Sequence, residues 1–369
     1  AANPRYYGPK PYLQRLTFKF YPSFGVAVAA LNNRSVDGIS YLPKQDRASV
    51  TTRQVTAYSL KLPQYTAVFF NSGANAALKA KPVRAALAQA VDRAAILAEA
   101  VRLDGEVIDS PILPGTPGYR TDLPSYRYDP DTAAELLASA GWRQLTDAEY
   151  LALQQTVSAV ASSSTPTSTP VAAPAGDSPT LAYHRAKGDQ TLRIALTTVD
   201  TAEHVAAASL IRDAWQAIGI EVELRVVSAA RIAHEVIKPR AYDALLYGEI
   251  VGADPDPFPF WHSSQASDPG LNLAMFSHRA ADKLLETARQ QPDVAKRAEQ
   301  YREFGQIIAD ELPAIFLYNP RYTYLVDRRV GGIAVERINQ PKDRFNDLHQ
   351  WYVKTARRWQ PAAGESKNF

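Results

Sequence analysis

Cysteine is absent from all 369 residues. Disulfides, thiolate catalysis, iron–sulfur clusters and cysteine-ligated zinc are thereby excluded, while the compartment stays open because a cysteine-free chain suits either redox environment. An excess of one charge is also lacking. Lys and Arg number 41 against 38 Asp and Glu, a formal net charge of +3, which supplies no whole-chain field for phosphates and gives no indication of nucleic acid. No run approaches the roughly 18 uninterrupted apolar residues of a membrane-spanning helix. The 18 glycines are scattered, without GxxxxGKS, GxxxxGKT, GxGxxG or GxSxG, so nucleotide use and serine-hydrolase chemistry lose their usual markers. Six histidines at 184, 204, 234, 262, 278 and 349 form neither HExxH nor a pair at i, i+3 or i+4. No cofactor, metal site or catalytic residue is therefore predicted, short of a metal site assembled from distant parts.

What is present suits a folded protein. Hydrophobic residues at 46% and charged residues at 21% lie near the averages of soluble globular chains, and the length suggests about two domains. The start, Ala1-Ala2-Asn3-Pro4, carries neither Met nor a signal-peptide pattern, as processing or truncation would leave it.

Period-two alternation predicts strands at 15–21 (Leu16, Phe18, Phe20 inward), 55–61 and 65–71, and a short helix is predicted at 26–32. Pro82 to Arg102 reads as one long amphipathic helix behind an N1 proline. A second helix opens at Asp129-Pro130 and is stopped by Gly141. Between Ser158 and Thr180, 19 of 23 residues are Ser, Thr, Pro or Ala, a composition predicting a disordered insertion that serves as a solvated spacer. A strand at 192–198, a helix at 202–218 ended by Gly219 and a strand at 220–227 make a parallel βαβ crossover. A strand at 243–247, helices at 280–290 and 294–311, and strands at 314–318 and 322–326 follow. The predicted class is α/β.

The densest chemistry lies in Tyr247 to Gln265, YGEIVGADPDPFPFWHSSQ. Asp254 and Asp256 alternate with prolines after a strand, beside Phe258, Phe260 and Trp261. A carboxylate with aromatic walls suits an amphipathic ligand, and the C-terminal end of a parallel strand is where open α/β sheets bind ligands. Equally, the aspartates cap the next turn and the aromatics fill core.

These residues, with others along the chain, resemble the family 5 extracytoplasmic solute-binding proteins, the peptide/nickel class that serves ABC importers. Asn3-Pro4-Arg5-Tyr6-Tyr7-Gly8 is similar to the family's NPxYWG segment, and Phe69-Phe70-Asn71 to the strand leading from its first lobe into its second. Val83-Arg84-Ala85-Ala86-Leu87 with Ala90-Val91-Asp92-Arg93 resembles its signature helix. Tyr128-Asp129-Pro130 to Ala140-Gly141-Trp142, Ile218 to Val222, Tyr242-Asp243-Ala244, Asp254 to Pro257 and Tyr301 to Pro313 continue the series in family order. Departures are a lack of roughly 200 residues that members carry before the first segment, about one ordinary domain, and Val251 where peptide-binding members usually carry Trp.

The resemblance implies a two-lobed type II periplasmic-binding-protein fold with the first lobe incomplete: residues 1–62 and 327–356 in lobe one, 63–326 in lobe two with the insertion at 158–180, and a tail at 357–369. It implies a non-enzymatic substrate-binding component that captures short peptides by hinge closure and delivers them to an ABC transporter permease. The location would be periplasmic or cell-surface, with membrane contact only through the permease or a lipid anchor, and the protein a monomer. Asp254 matches the carboxylate that pairs with a ligand's α-ammonium, a strong charge-assisted contact. Tyr247, Glu249, Trp261, Asn272 and Phe276 are the other expected ligand-binding residues, whereas Arg84, Asp92 and Asp282 are expected to be structural. Alternatives are a binding protein for a nickel chelate or oligosaccharide, a scaffold without ligand, and a peptide hydrolase working through Glu249, Asp254 and His262.

Overall fold

In a computed structural model, which describes residues 8–42, 44–101, 105–161, 183–252, 254 and 256–354, the chain divides into two units. Among the described residues, those up to 62 and from 321 onward form one, and those from 63 to 320 the other.

In the first unit, helix α1 (Phe24–Asn32) is opened by Ser23, whose hydroxyl accepts from Val26 N. Strands β1 (Gly38–Ser40) and β2 (Val55–Lys61) pair antiparallel with opposite sides of residues 321–327. Leu31, Ile39, Leu42 and Leu325 form one small core; Leu60, Tyr322, Tyr324 and Trp351 belong to another. The strand expected at 15–21 is absent. Phe18 and Phe20 are 57% and 95% exposed, and no described strand pairs with this segment. Alternation marks a strand that could be half-buried, but the strand forms only where a neighbour completes its ladder.

The second unit is built on one sheet. It begins with β3 (Gln64–Phe70), followed by helix α2 (Lys81–Gln89), edge strand β4 (Gly105–Val107) and helix α3 (Pro130–Ser139). Strand β5 (Arg143–Leu145), helix α4 (Asp147–Ala161), and strands β6 (His184–Lys187) and β7 (Gln190–Thr191) carry a small three-stranded sheet. The backbone of residues 158–161 continues α4, and 162–180 of the expected insertion lie outside the described residues. Strand β8 (Arg193–Val199), helix α5 (Ala202–Ala217) and strand β9 (Glu221–Val227) form the crossover unit, and β10 (Ala244–Ile250) returns to the other side of β8. The short helix α6 (Phe258–Trp261), the long helices α7 (Arg279–Gln290) and α8 (Val294–Glu311), and strand β11 (Ala314–Asp327) complete the unit. Only residues 314–320 of β11 belong to it.

The sheet order is β11–β3–β10–β8–β9, with β10, β8 and β9 parallel and β3 antiparallel to β10. Alternate residues supply opposite cores, as the two-residue period of a strand requires. Val68, Phe70, Leu196 and Leu246 face α2, α3 and α5. Tyr65, Ala67, Phe69 and Leu245 face α7 and α8. Both glycine stops in the sequence are Schellman caps. After α5, Ile220 N donates to Trp215 O and Gly219 N to Gln216 O; after α3, Trp142 N donates to Leu137 O and Gly141 N to Ala138 O. Gly219 has φ +86, and a Cβ there would lie 2.6 Å from Tyr183.

The long helix expected at 82–102 is broken. Residues 90–92 leave the helix, Asp92 caps a new turn by accepting from Ala95 N at 2.9 Å, and Ile96–Val101 continue as a π-helix. Arg93 there bonds Asp109 at 2.7 Å and the Ile108 and Phe316 carbonyls. Distant partners of this kind leave no trace in helical periodicity.

Arg84 performs a structural task. It is 8% exposed and donates to Leu312 O (3.0 Å), Leu78 O (2.8 Å), Lys79 O (2.9 Å) and Glu311 O (2.6 Å), closing the carbonyl end of α8, whose cap residue Leu312 has φ 51. A cation suits a helix C-terminus, and four donated bonds satisfy the guanidinium in a place where burial lowers its pKa against the fields of Glu311 and Tyr126. Replacing Arg84 by Met strands these carbonyls. Urea unfolding of Arg84→Met is expected to show a loss of about 2–4 kcal/mol, with Arg84→Lys recovering only part of it.

Candidate functional site

The parallel strands β8 and β9 end together at Val199 and Val227, and β10 continues past its last rung with β8, Thr198 opposite Leu246, to Ile250. The loop after β10 holds Asp254 and Asp256. Asp254 is exposed, and its carbonyl accepts from Asp256 N at 2.8 Å. The Asp256 carboxylate is committed: Oδ1 accepts from Phe258 N (3.1 Å) and Oδ2 from Arg289 (2.7 and 2.8 Å). The Arg289 guanidinium also stacks 3.7 Å above the Phe258 ring. Of the two carboxylates, Asp254 is the one presented to solvent.

Tyr247 and Glu249 project from β10 toward the core shared with α7 and α8, as same-parity residues of one strand must. Tyr247 is half-buried and lies 6.5 Å, ring to ring, from His204. Glu249 is 6% exposed. Its Oε2 accepts a short hydrogen bond from the Tyr65 hydroxyl, directly opposite on β3, and its Oε1 is buried with no partner. Trp261, 1% exposed, donates Nε1–H to the same Tyr65 oxygen at 3.2 Å. Burial pushes the Glu249 carboxyl up to about 8, opposed by the Tyr65 bond and the field of Arg240, and burial with the neighbouring carboxylate pushes the Tyr65 phenol up as well. A carboxyl surrounded by apolar rings keeps its proton because the charged form loses hydration that nothing replaces.

Asn272 has no exposed surface. Its Nδ2 donates to Phe276 O (2.8 Å), His262 O (3.2 Å) and Trp261 O (3.4 Å), and its Oδ1 accepts from Phe276 N (3.1 Å). Phe276, 9% exposed, packs edge-on against Trp261 with centroids 6.3 Å apart. The structure therefore gathers Glu249, Trp261, Asn272 and Phe276 into one packed body beneath the strand ends, leaves Tyr247 at its margin and sets Asp254 outside it. Asp282 accepts from Ser263 N (2.9 Å) and Oγ (2.6 Å), an internal clasp.

Of the three residues weighed for hydrolysis, Glu249 bonds Tyr65 and Asp254 is exposed. His262 Nδ1 lies 2.8 Å from the Ser264 hydroxyl and accepts from Ser264 N at 3.1 Å, and its Nε2 lies 3.5 Å from Glu286 and 3.9 Å from Asp282. Among the described residues no group of three or more His, Cys, Asp or Glu side chains could hold a metal ion.

Sequence reasoning missed Tyr65 and His204. His204 sits in the first turn of α5, its Nδ1 2.9 Å from the capping Thr201 hydroxyl, and burial lowers its pKa, keeping the ring neutral. Thr201 in front of the α5 pattern, just after a strand, was the available signal. Nothing local pointed to Tyr65, whose partner lies 184 residues away.

Asn272 offers a direct check on the packed body. Asn272→Ala leaves three carbonyls and one amide without their side-chain partner and is expected to cost about 1–3 kcal/mol in denaturant unfolding. Asn272→Asp, which turns an acceptor toward those carbonyls, is expected to cost more.

Residues 1–271 match the family of bacterial extracellular solute-binding proteins, family 5 (middle). The oligopeptide-binding protein AppA of Bacillus subtilis (strain 168) is 26% identical over 359 residues, 95% of this chain and 58% of AppA. The structure of Bacillus subtilis AppA in complex with a nonapeptide superposes with a TM-score of 0.67 at 24% identity, covering 93% of this chain and 61% of AppA. NikZ from Campylobacter jejuni in complex with Ni(L-His) gives a TM-score of 0.64 at 20% identity, covering 88% and 59%. The chain thus spans about three-fifths of these proteins' length. Its fold is the two-lobed type II periplasmic-binding-protein fold, and the match over residues 1–271 makes it a member of the bacterial extracellular solute-binding proteins of family 5.

Proposed function

We propose that this chain is part of the substrate-binding component of an ABC importer, acting outside the cytoplasm. In this reading it captures short peptides by hinge closure and delivers them to a membrane permease, as a monomer and without covalent chemistry. The observation that carries the reading is the exposed Asp254 carboxylate in the loop that follows β10, a strand parallel to β8, four residues before the aromatic helix α6 opens at Phe258. A cationic peptide terminus is the complementary group for a lone carboxylate, and a strand-end border is the usual ligand position in open α/β sheets. Tyr247, on the margin of the aromatic body, would add an apolar contact. Glu249, Trp261, Asn272 and Phe276 would support the border from beneath. The names of similar proteins agree in kind: AppA is an oligopeptide-binding protein, and its solved structure holds a nonapeptide.

A nickel chelate is the second reading, favoured by the fold shared with NikZ in complex with Ni(L-His). Calorimetry with pools of short peptides, and separately with nickel–histidine, distinguishes the two. Heat from at least one peptide pool is expected, with Asp254→Asn weakening that binding about tenfold or more. Heat from nickel–histidine alone would select the second reading, and no heat from either would overturn both.

A further inference from the structure

Among the described residues of the second unit, Glu249 is the buried acidic side chain, and the proposed function makes no use of its chemistry. Its surroundings leave the network one partner short. Three heavy groups share two hydrogen bonds: Tyr65 to Oε2, and Trp261 Nε1 to the Tyr65 oxygen. An ionised carboxylate would have a single side-chain donor and a bare Oε1, whereas the neutral acid leaves only one O–H unmatched. Uncompensated charge is by far the costlier alternative in an apolar core.

The position gives this proton a mechanical consequence. Glu249 opposes Tyr65 at the next-to-last rung of the β3–β10 ladder, followed by Ile250 opposite Gln64. Beyond it Val251 N donates to Pro63 O at 2.8 Å, and Asn319 Nδ2 donates to Gln64 O at 2.6 Å. Pro63 is where the chain enters the second unit and Pro320 where it leaves. The charged or titratable groups acting on the carboxyl are Tyr65 from β3, Tyr242 from the segment leading into β10, and Arg240 just before it. Arg240 is the cation among them, and its guanidinium is held by Ile237 O, Ala266 O and Gly270 O.

We propose that Glu249 is a proton-operated latch: its neutral carboxyl holds the last rungs of β3 and β10 together, and its ionisation releases them. The inference is independent of the ligand. Its sign follows from linkage. The carboxyl is raised from an ordinary value of 4.5 to about 8 in the folded chain, so the folded state binds the proton more tightly than the unfolded one. The stabilisation is complete below about pH 4.5 and is lost as the pH rises through about 8.

Amide hydrogen exchange of the whole chain, corrected for the intrinsic pH dependence of exchange, tests the latch. Between about pH 6.5 and 9.5, protection at residues 64–66 and 248–251 is expected to fall about tenfold or more relative to the β8–β9 ladder. In Glu249→Gln, which cannot ionise, the two regions are expected to change in parallel. Parallel behaviour in the wild type, or the same selective loss in Glu249→Gln, would overturn the proposal. Should that variant fail to fold, infrared spectra of the wild-type chain decide the matter. A carboxylic-acid carbonyl band at pH 6.5 that disappears by pH 9.5 supports the latch, and its absence at pH 6.5 refutes it.

Discussion

The central strands of the second unit have no solvent face, and the rest of that unit is arranged around this constraint. A parallel pair such as β8 and β9 needs a crossover to connect it, and the crossover helix α5 covers one face of the sheet. The opposite face is covered by α7 and α8, which arrive later in the chain. Side chains of β3 and β10 therefore divide strictly by parity between two cores, and each polar group placed on those strands must find a partner inside protein.

The buried polar residues meet that requirement in different ways. Arg84 places its guanidinium against the open carbonyl end of a helix, donating four hydrogen bonds to carbonyls there and at residues 78 and 79. Asn272 plays the same part for a loop, satisfying three carbonyls and one amide with one side chain. Trp215, fully buried, fixes α5 to α2 through a 3.0 Å bond from Nε1 to Leu87 O. Glu249 is one of the incomplete cases, with one oxygen accepting from Tyr65 and the other unmatched, as Thr197 Oγ1 and Gln216 Oε1 also are. An incompletely bonded buried acid is a group whose protonation state the surroundings control.

The proposed ligand border and the buried body beneath it differ in kind. Asp254 lies on a loop and faces solvent, while Trp261, Asn272 and Phe276 are held in place by packing and hydrogen bonds.

Local chemistry determined much of this protein from sequence alone. Strand β2 and helices α3 and α8 are legible in period, proline and cap residues, and the glycines at 141 and 219 end their helices for reasons contained in five or six residues. The class, the parallel crossover and the family resemblance follow from such signals in order. Tertiary structure decided the rest, because the deciding partners are far apart in the chain. Leu16, Phe18 and Phe20 have the pattern of a strand but no ladder to join. The helix after Pro82 breaks at Asp92, where Arg93 finds partners on other elements. Within the ligand-contact set read from sequence, only the fold separates an exposed aspartate from a buried Glu249, Asn272 and Trp261. Burial is a property of the assembled cores, and no single segment encodes it.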